Sequence, residues 1–424
     1  MDQLFNKYNI NVPRYTSYPT IMSWNNEKCS SDWTTHVNRQ DEIDLYFHIP
    51  FCSELCWYCG CNRKITRDSS QIDLYTEYLL KEWKLLEAKS SKVKSVHFGG
   101  GTPNALSIKN FKSLYQNIIP ESAELSIELD PRTLEEGLLT YLSSKNLKHA
   151  SFGIQDFDVD VQNAINRYQP FDLVEKVVSD LRSQSDCSIN FDLIYGLPKQ
   201  SIDSIHETIV KVKKLNPDYI ALYSYAHLPR MFPAQKLIKD ADLKNGKSKR
   251  ELYEYAKKEL ESVGYVEIGL DHFALKDSKL HKASLRRSLK RSFMGYTEKK
   301  TQTLVGIGAS SISEGADFYL QNAKSIKEYF EFLDSGKLPF VKTHLMSNED
   351  KESKRIINEL MCNLYIDKRD VQEGTCLNEY LDDKLLEEHG DTYLISSIGR
   401  PFLRNIASTF DQYLVSETSF SKSL

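Results

Sequence analysis

No stretch of this chain is apolar for long enough to cross a bilayer, and its opening residues hold no basic segment followed by an apolar one. The sequence therefore predicts neither membrane association nor a secretory leader. Positive charge is not in surplus: 55 Lys and Arg stand against 59 Asp and Glu, a formal net charge of -4, which argues against general nucleic-acid binding. Cysteine is scarce, at eight in 424 residues, which is ordinary for a reducing compartment and too thin for a disulfide framework. Internal repeats, low-complexity tracts and a recognisable hydrolytic constellation are also lacking. These absences point to a cytoplasmic chain, and its hydrophobic fraction of 40% is ample for one large barrel with an appendage, or for two to three domains.

The few cysteines are unevenly spread. Half of them, Cys52, Cys56, Cys59 and Cys61, fall within ten positions, the first three spaced Cys-x3-Cys-x2-Cys. Loops of two or three residues fold back far enough to aim successive sulfurs at one inorganic centre. Three thiolates would leave one iron of a 4Fe-4S cluster open to a small molecule. Cys61 follows Cys59 so closely that the intervening peptide is taut, and it is expected near the site without being a ligand. A zinc knuckle using all four cysteines is the competing reading. Tyr58, just before the third thiol, favours a cluster with a hydrophobic lid.

Around this loop, β-rich runs alternate with amphipathic stretches. Strands are expected at 45–49, 95–98, 124–129, 150–154, 188–194 and 219–223, with helices at 71–87, 107–117, 133–144, 171–183 and 202–214. Six buried-type strands alternating with helices imply a parallel sheet with crossover helices. In such folds the chemistry sits at the strands' C-terminal ends. Gly99-Gly100-Gly101-Thr102, Glu128, Gln155, Asp192 and Ala226 all fall there.

The flanks read differently. Residues 1–41 form a polar, irregular arm broken by Pro13 and Pro19, in which Arg14, Tyr15 and Tyr18 can meet a carboxylate or simply wrap the surface. The barrel and a helical extension occupy 42–346. Within the extension, a basic run from Lys276 to Arg291 reads as an amphipathic helix with Leu285, Leu289 and Phe293 on one face. Its cationic side is solvated, or attracts a polyanion. Residues 347–424 read as a small, mostly α-helical or winged-helix-like domain.

The cysteine motif with its preceding aromatic resembles the signature of the radical S-adenosylmethionine (SAM) superfamily. Tyr46-Phe-His-Ile-Pro-Phe-Cys52, Cys59-Gly-Cys61, Phe98-Gly-Gly-Gly-Thr-Pro103 and Pro13-Arg-Tyr-Thr-Ser-Tyr-Pro19 together resemble the oxygen-independent coproporphyrinogen III oxidase family, over about residues 8 to 414. The resemblance implies an α/β fold, a partial (β/α)6 radical SAM barrel with an N-terminal arm and a small C-terminal domain. It implies a 4Fe-4S cluster on Cys52, Cys56 and Cys59, and two SAM molecules. Tyr46, Gly100, Glu128 and Ile312 are the implied contacts of the SAM on the cluster. Tyr58, Gly101, Thr102, Gln155, Arg167, Asp192 and Ala226 are those of the second. Tyr58 stands where the family leads us to expect phenylalanine.

The implied reaction is oxidative decarboxylation of two propionates of coproporphyrinogen III to vinyls, in a monomer served by an unidentified electron donor and acceptor. No catalytic acid or base is assigned. His48, His97, His227 and His272 are candidates for cluster surroundings or substrate hydrogen bonds, against the plainer reading of structural histidines. The rival readings are a heme-binding chaperone of the same superfamily, whose type lacks the extra cysteine, and another porphyrin-acting radical SAM enzyme.

Overall fold

A computed structural model describes residues 2–25, 30–299, 303–372 and 375–414. Contacts divide the chain into two compact units, one of residues 25–244 and 301–345, the other of residues 1–24, 245–300 and 346–424.

The first unit holds the cysteine loop. Strands β1 (Ile43–Ile49), β2 (Val93–Gly100), β3 (Glu124–Leu129), β4 (Leu147–Gln155), β5 (Ser188–Tyr195) and β6 (Tyr219–Ser224) lie side by side in chain order, every neighbouring pair parallel. A seventh parallel strand, β7 (Leu304–Ile307), flanks β1 on its other side. Beyond it β8 (Ile312–Glu314), β9 (Phe318–Asn322) and β10 (Phe340–Leu345) continue antiparallel. The crossovers carry α1 (Ser69–Leu86), α2 (Ile108–Asn117), α3 (Leu138–Ser143), α4 (Val159–Ala164), α5 (Phe171–Gln184) and α6 (Ile202–Leu215), and α7 (Ile326–Asp334) precedes β10.

Local sequence accounts for these boundaries. Asp68 accepts from the Ser70 amide to start α1, while Ser107 with Asn110 and Ser201 with Ser204 close reciprocal caps on α2 and α6. Gly137, at φ 78°, stops the expected helix over 133–144 from forming in one piece: a 3₁₀ turn, Pro131–Thr133, is followed by the short α3. Phe47, Phe98, Phe152 and Phe191 are fully buried on β1, β2, β4 and β5, with the Phe47 and Phe98 rings stacked at 4.9 Å. Each such ring contributes about 2 kcal/mol through burial alone, so the sheet is pinned from within.

The second unit combines helices Asp2–Tyr8, Gly246–Ser262 and Asn348–Asn363 with the hairpin Tyr265–Ile268/His272–Leu275. A three-stranded antiparallel sheet, Tyr365–Asp367, Thr392–Ile395 and Leu386–His389, completes it. Its core includes Tyr8, Tyr15, Tyr18, Leu360, Phe402 and Ile406. Arg14 pairs with the Asp271 carboxylate, and the Tyr15 hydroxyl donates to Asp411 at 3.0 Å.

Two local expectations change. The stretch 1–41 is not irregular throughout: it contains Asp2–Tyr8 and Ser30–Arg39, because both prolines fall between these helices and the second buries Trp33 and Val37. Nor is the basic run one helix. Lys279–Leu285 ends at Arg286, Arg287 takes φ 53°, and Lys290–Ser292 pairs with Gly295–Thr297 as a hairpin. Leu285 is exposed and Leu289 buried, so their i+4 spacing does not define one helical face.

Candidate active site

The cysteine loop leaves the C-terminal end of β1. The short strand Phe51–Cys52 pairs with Lys64–Ile65, so the loop's two stems are clamped together. A hydrogen bond from the Cys59 amide to the Cys56 carbonyl, 3.3 Å, turns the chain between those thiols. The α4 end anchors the loop: Trp57 N donates to the Ile165 carbonyl at 3.0 Å, and Asn166 Nδ2 to the Leu55 carbonyl at 2.8 Å.

Each expected ligand sulfur faces a donor. The Thr102 hydroxyl approaches Cys52 Sγ at 3.4 Å, Arg167 Nη1 and Arg132 Nη2 lie 3.6 and 3.7 Å from Cys56 Sγ, and the Cys61 amide is 3.4 Å from Cys59 Sγ. All are free thiols, and Cys61 is exposed. Among the described residues no group of three or more His, Cys, Asp or Glu side chains closes around one metal position. The donor set nevertheless fits a thiolate-bound cluster, since donors and guanidinium charge around the sulfurs favour the anionic form that iron requires. Gly101 adds to the fit: a Cβ there would stand 2.9 Å from the Phe51 carbonyl oxygen and 3.1 Å from Cys52 Sγ. Burial first, then the neighbouring Cys59 and Cys56 thiols, push the Cys52 thiol up to about 11 against the pull of Thr102, a cost that a bound cation would remove.

The ends of β1, β2 and β3 bring a second group together. The Tyr46 hydroxyl meets His48 Nδ1 at 3.1 Å, and its ring stacks on His97 at 5.8 Å. His97 bridges Ser126 Oγ at 2.8 Å and Glu128 Oε1 at 3.5 Å, while the Gly100 amide donates to Glu128 Oε2 at 3.2 Å. Gly100 has φ 118° and would place a Cβ 2.8 Å from the His48 ring, so only glycine fits. Burial lowers the basicity of His48, keeping its imidazole neutral.

A third group lines β4 and β5. Arg167 is buried and donates to the Gly153 carbonyl through Nε and Nη2, at 3.1 and 2.6 Å, and to Asp130 Oδ2 at 3.2 Å. Burial opposes the Asp130 charge, yet Arg167 and Arg132 hold its carboxyl down to about 2. Gln155, buried and at φ 65°, is near Arg167: a Cβ on Gly153 would touch both, at 2.8 and 3.1 Å. Desolvation, then the charge of Glu128, pushes Asp192 up to about 7, although Asn190 and Ser151 donate to it. Tyr58 packs against the cluster of Val161, Ile165, Leu197 and Tyr225. Its carbonyl and that of Ala226 both accept from Gln235 Nε2, at 2.9 and 3.2 Å. Ile312 opens β8, and its carbonyl lies 2.4 Å from where a Cβ on Gly306 would be; Gly306 is in register with Tyr46.

Residues 46–212 match the radical SAM superfamily. The oxygen-independent coproporphyrinogen III oxidase of Synechocystis sp. is 36% identical, with 97% of this chain and 95% of the relative covered. The enzyme of the same name from Escherichia coli is 35% identical, with the same coverage of each. The solved coproporphyrinogen III oxidase from Escherichia coli, described as a radical SAM enzyme, superposes with a TM-score of 0.86 at 33% identity, covering 96% of this chain and 100% of the other. The chain belongs to the oxygen-independent coproporphyrinogen III oxidase family. Radical SAM membership brings with it a 4Fe-4S cluster and SAM.

Within this family frame, sequence reasoning overlooked three residues. Asp130 and Arg132 surround Arg167 and Cys56, and Asn104 fixes Asp130 by donating to its carbonyl at 3.2 Å and accepting from its amide at 2.8 Å. Asp130-Pro131 was legible only as a strand stop. Its position just past the C-terminal end of β3 is the signal that could have marked it.

Proposed function

We propose that this chain catalyses the anaerobic oxidative decarboxylation of two propionates of coproporphyrinogen III to vinyl groups, giving protoporphyrinogen IX. The observation that carries this reading is the full-length relationship to oxidases of that name, joined to three thiols that each face a donor at the sheet's C-terminal ends. A 4Fe-4S cluster held by Cys52, Cys56 and Cys59 would supply the electron for reductive cleavage of SAM and so the means of taking a hydrogen from the propionate β-carbon; loss of carbon dioxide and of one electron to an acceptor would then leave the vinyl.

The chain's own residues bind, orient and shield. Cys52, Cys56 and Cys59 would hold the cluster, with SAM bound beside it. Tyr46, Gly100, Glu128 and Ile312 contact that SAM, the glycine letting backbone approach its methionine end. Tyr58, Gly101, Thr102, Gln155, Arg167, Asp192 and Ala226 form the site of a second SAM. Arg167 suits a carboxylate there because Asp130 is shared with Arg132, which leaves one positive charge in excess, and because the Gly153 carbonyl sets its orientation. No side chain need act as a general base, since the proton and electron inventory closes with hydrogen abstraction, decarboxylation and one electron passed to an acceptor.

Anaerobic incubation with coproporphyrinogen III, SAM and a reductant is expected to yield vinyl product and 5′-deoxyadenosine together. Stable hemin binding with no decarboxylation would replace this reading with that of a heme carrier.

A further inference from the structure

The strongest unexplained feature of the first unit is a carboxylate buried far from any assigned role. Glu82 is fully buried on α1, seven residues after Tyr75 and so on the same helical face. Its Oε2 accepts from the Gly308 amide at 2.8 Å and the Tyr329 hydroxyl at 2.6 Å, and its Oε1 from Asn322 Nδ2 at 2.6 Å. The same Asn322 nitrogen also donates to the Gly308 carbonyl at 2.9 Å. Tyr75 completes the clamp, accepting from the Ala309 amide at 2.8 Å and donating to the His48 carbonyl at 2.9 Å. One face of α1 thus ties the turn between β7 and β8 to the end of β1, immediately before the cysteine loop.

We propose that Glu82 is a positioning residue for SAM: it sets the Gly308–Ala309 turn, and through that turn the placement of Ile312 opposite the Tyr46 end of β1. The inference rests on the proposed function in taking Ile312 and Tyr46 as SAM contacts. The chemistry of the clamp supports a role beyond packing. Among the described residues Glu82 meets three donors, from α1's neighbours α7, β9 and the turn, and no cation shares these contacts. A buried carboxylate without a countercharge is an expensive way to fill space, and an apolar side chain of similar volume would serve packing alone. What the carboxylate supplies is two oxygens that accept from three donors at once, Oε2 from two of them and Oε1 from the third, which specifies one turn geometry. Burial pushes Glu82 up to about 7, in keeping with that cost.

The test is Glu82→Gln in the anaerobically reconstituted holoprotein, with Tyr329→Phe as a milder second variant. Glutamine keeps one acceptor and turns a nitrogen toward Asn322, so either that contact or the Asn322–Gly308 contact is lost. SAM binding is read from the change it causes in the spectrum of the reduced cluster, without porphyrin, alongside thermal stability and amide hydrogen exchange over residues 306–312 in the cluster-free chain. We expect SAM affinity to fall about five- to tenfold in Glu82→Gln and less in Tyr329→Phe, on the scale of one lost hydrogen bond. Exchange should rise over 306–312 while the unfolding temperature above pH 7 stays level or rises. Unchanged SAM affinity in both variants, or affinity lost only in step with stability, overturns the inference. A wild-type cluster whose spectrum does not respond to SAM overturns the proposed function itself.

Discussion

A cluster ligand differs from its neighbours in being irreplaceable by a group of similar size, and the cysteine loop offers a direct comparison. Cys52→Ala, Cys56→Ala and Cys59→Ala are each expected to reduce iron content and cluster absorbance of anaerobically purified protein to background. Cys61→Ser should leave both intact, because serine retains the backbone amide to Cys59 Sγ and its hydroxyl replaces the Cys61 thiol as the side-chain donor to Cys59. Cluster loss in Cys61→Ser would refute the three-ligand assignment. Arg167 calls for a different substitution. Lysine keeps its charge but cannot serve Gly153, Asp130 and Cys56 at once, so Arg167→Lys is expected to cost about 2 kcal/mol and to weaken SAM-dependent activity, with Arg132 still neutralising Asp130. Equal stability and activity in the lysine variant would reduce Arg167 to a simple charge. The residue types at this site were legible in the sequence because glycines and cysteines announce themselves at fixed spacing. Asp130, Arg132 and Glu82 were not: position past a strand end could have marked Asp130 as near the site, but a charged side chain carries no mark of its partners until distant segments meet.

At the scale of elements, α4 and the turn after it are more than a connection. Asn166 adopts φ 54°, a conformation asparagine tolerates better than most residues, and its side chain holds the Leu55 carbonyl of the cysteine loop. Asn166→Ala combines the lost hydrogen bond with backbone strain, about 1–2 kcal/mol together. The expected outcome is faster cluster loss to a chelator, with unchanged iron stoichiometry before the challenge. Chelation rates equal to wild type would mean the loop is held by its stems alone. The alternation of strands and crossover helices was readable because buried parallel strands have a distinctive apolar run; the strand at 124–129 needed no extension and the other five between one and four residues each. The basic run after Lys276 misled because Leu285, Leu289 and Phe293 mimic helical spacing. The reversal at Gly295, φ 111°, decides in favour of a hairpin, and no local periodicity encodes the pairing of Lys290–Ser292 with Gly295–Thr297.

For the whole molecule, the grouping of residues 1–24, 245–300 and 346–424 into one unit escaped a linear reading, because it depends on contacts between segments far apart in sequence. Folding stability likewise collects contributions that no single motif displays, and its pH dependence isolates one. Glu82 ionises near 4.5 in the unfolded chain and near 7 when folded, so the folded state retains its proton where the unfolded state has released it. A carboxyl raised in this way stabilises most at low pH, and its contribution declines as pH rises from 4.5 to 7 and is then constant. Between pH 5.5 and 8 wild type should therefore lose about 2 kcal/mol relative to Glu82→Gln, whose amide does not titrate. Chemical denaturation of both proteins, cluster-free and at matched ionic strength, measures that difference directly because all other titrating groups are common to the pair. A constant difference across this range would mean that Glu82 does not change protonation between pH 5.5 and 8 on folding, and an increase in favour of wild type would mean that its donors outweigh its burial.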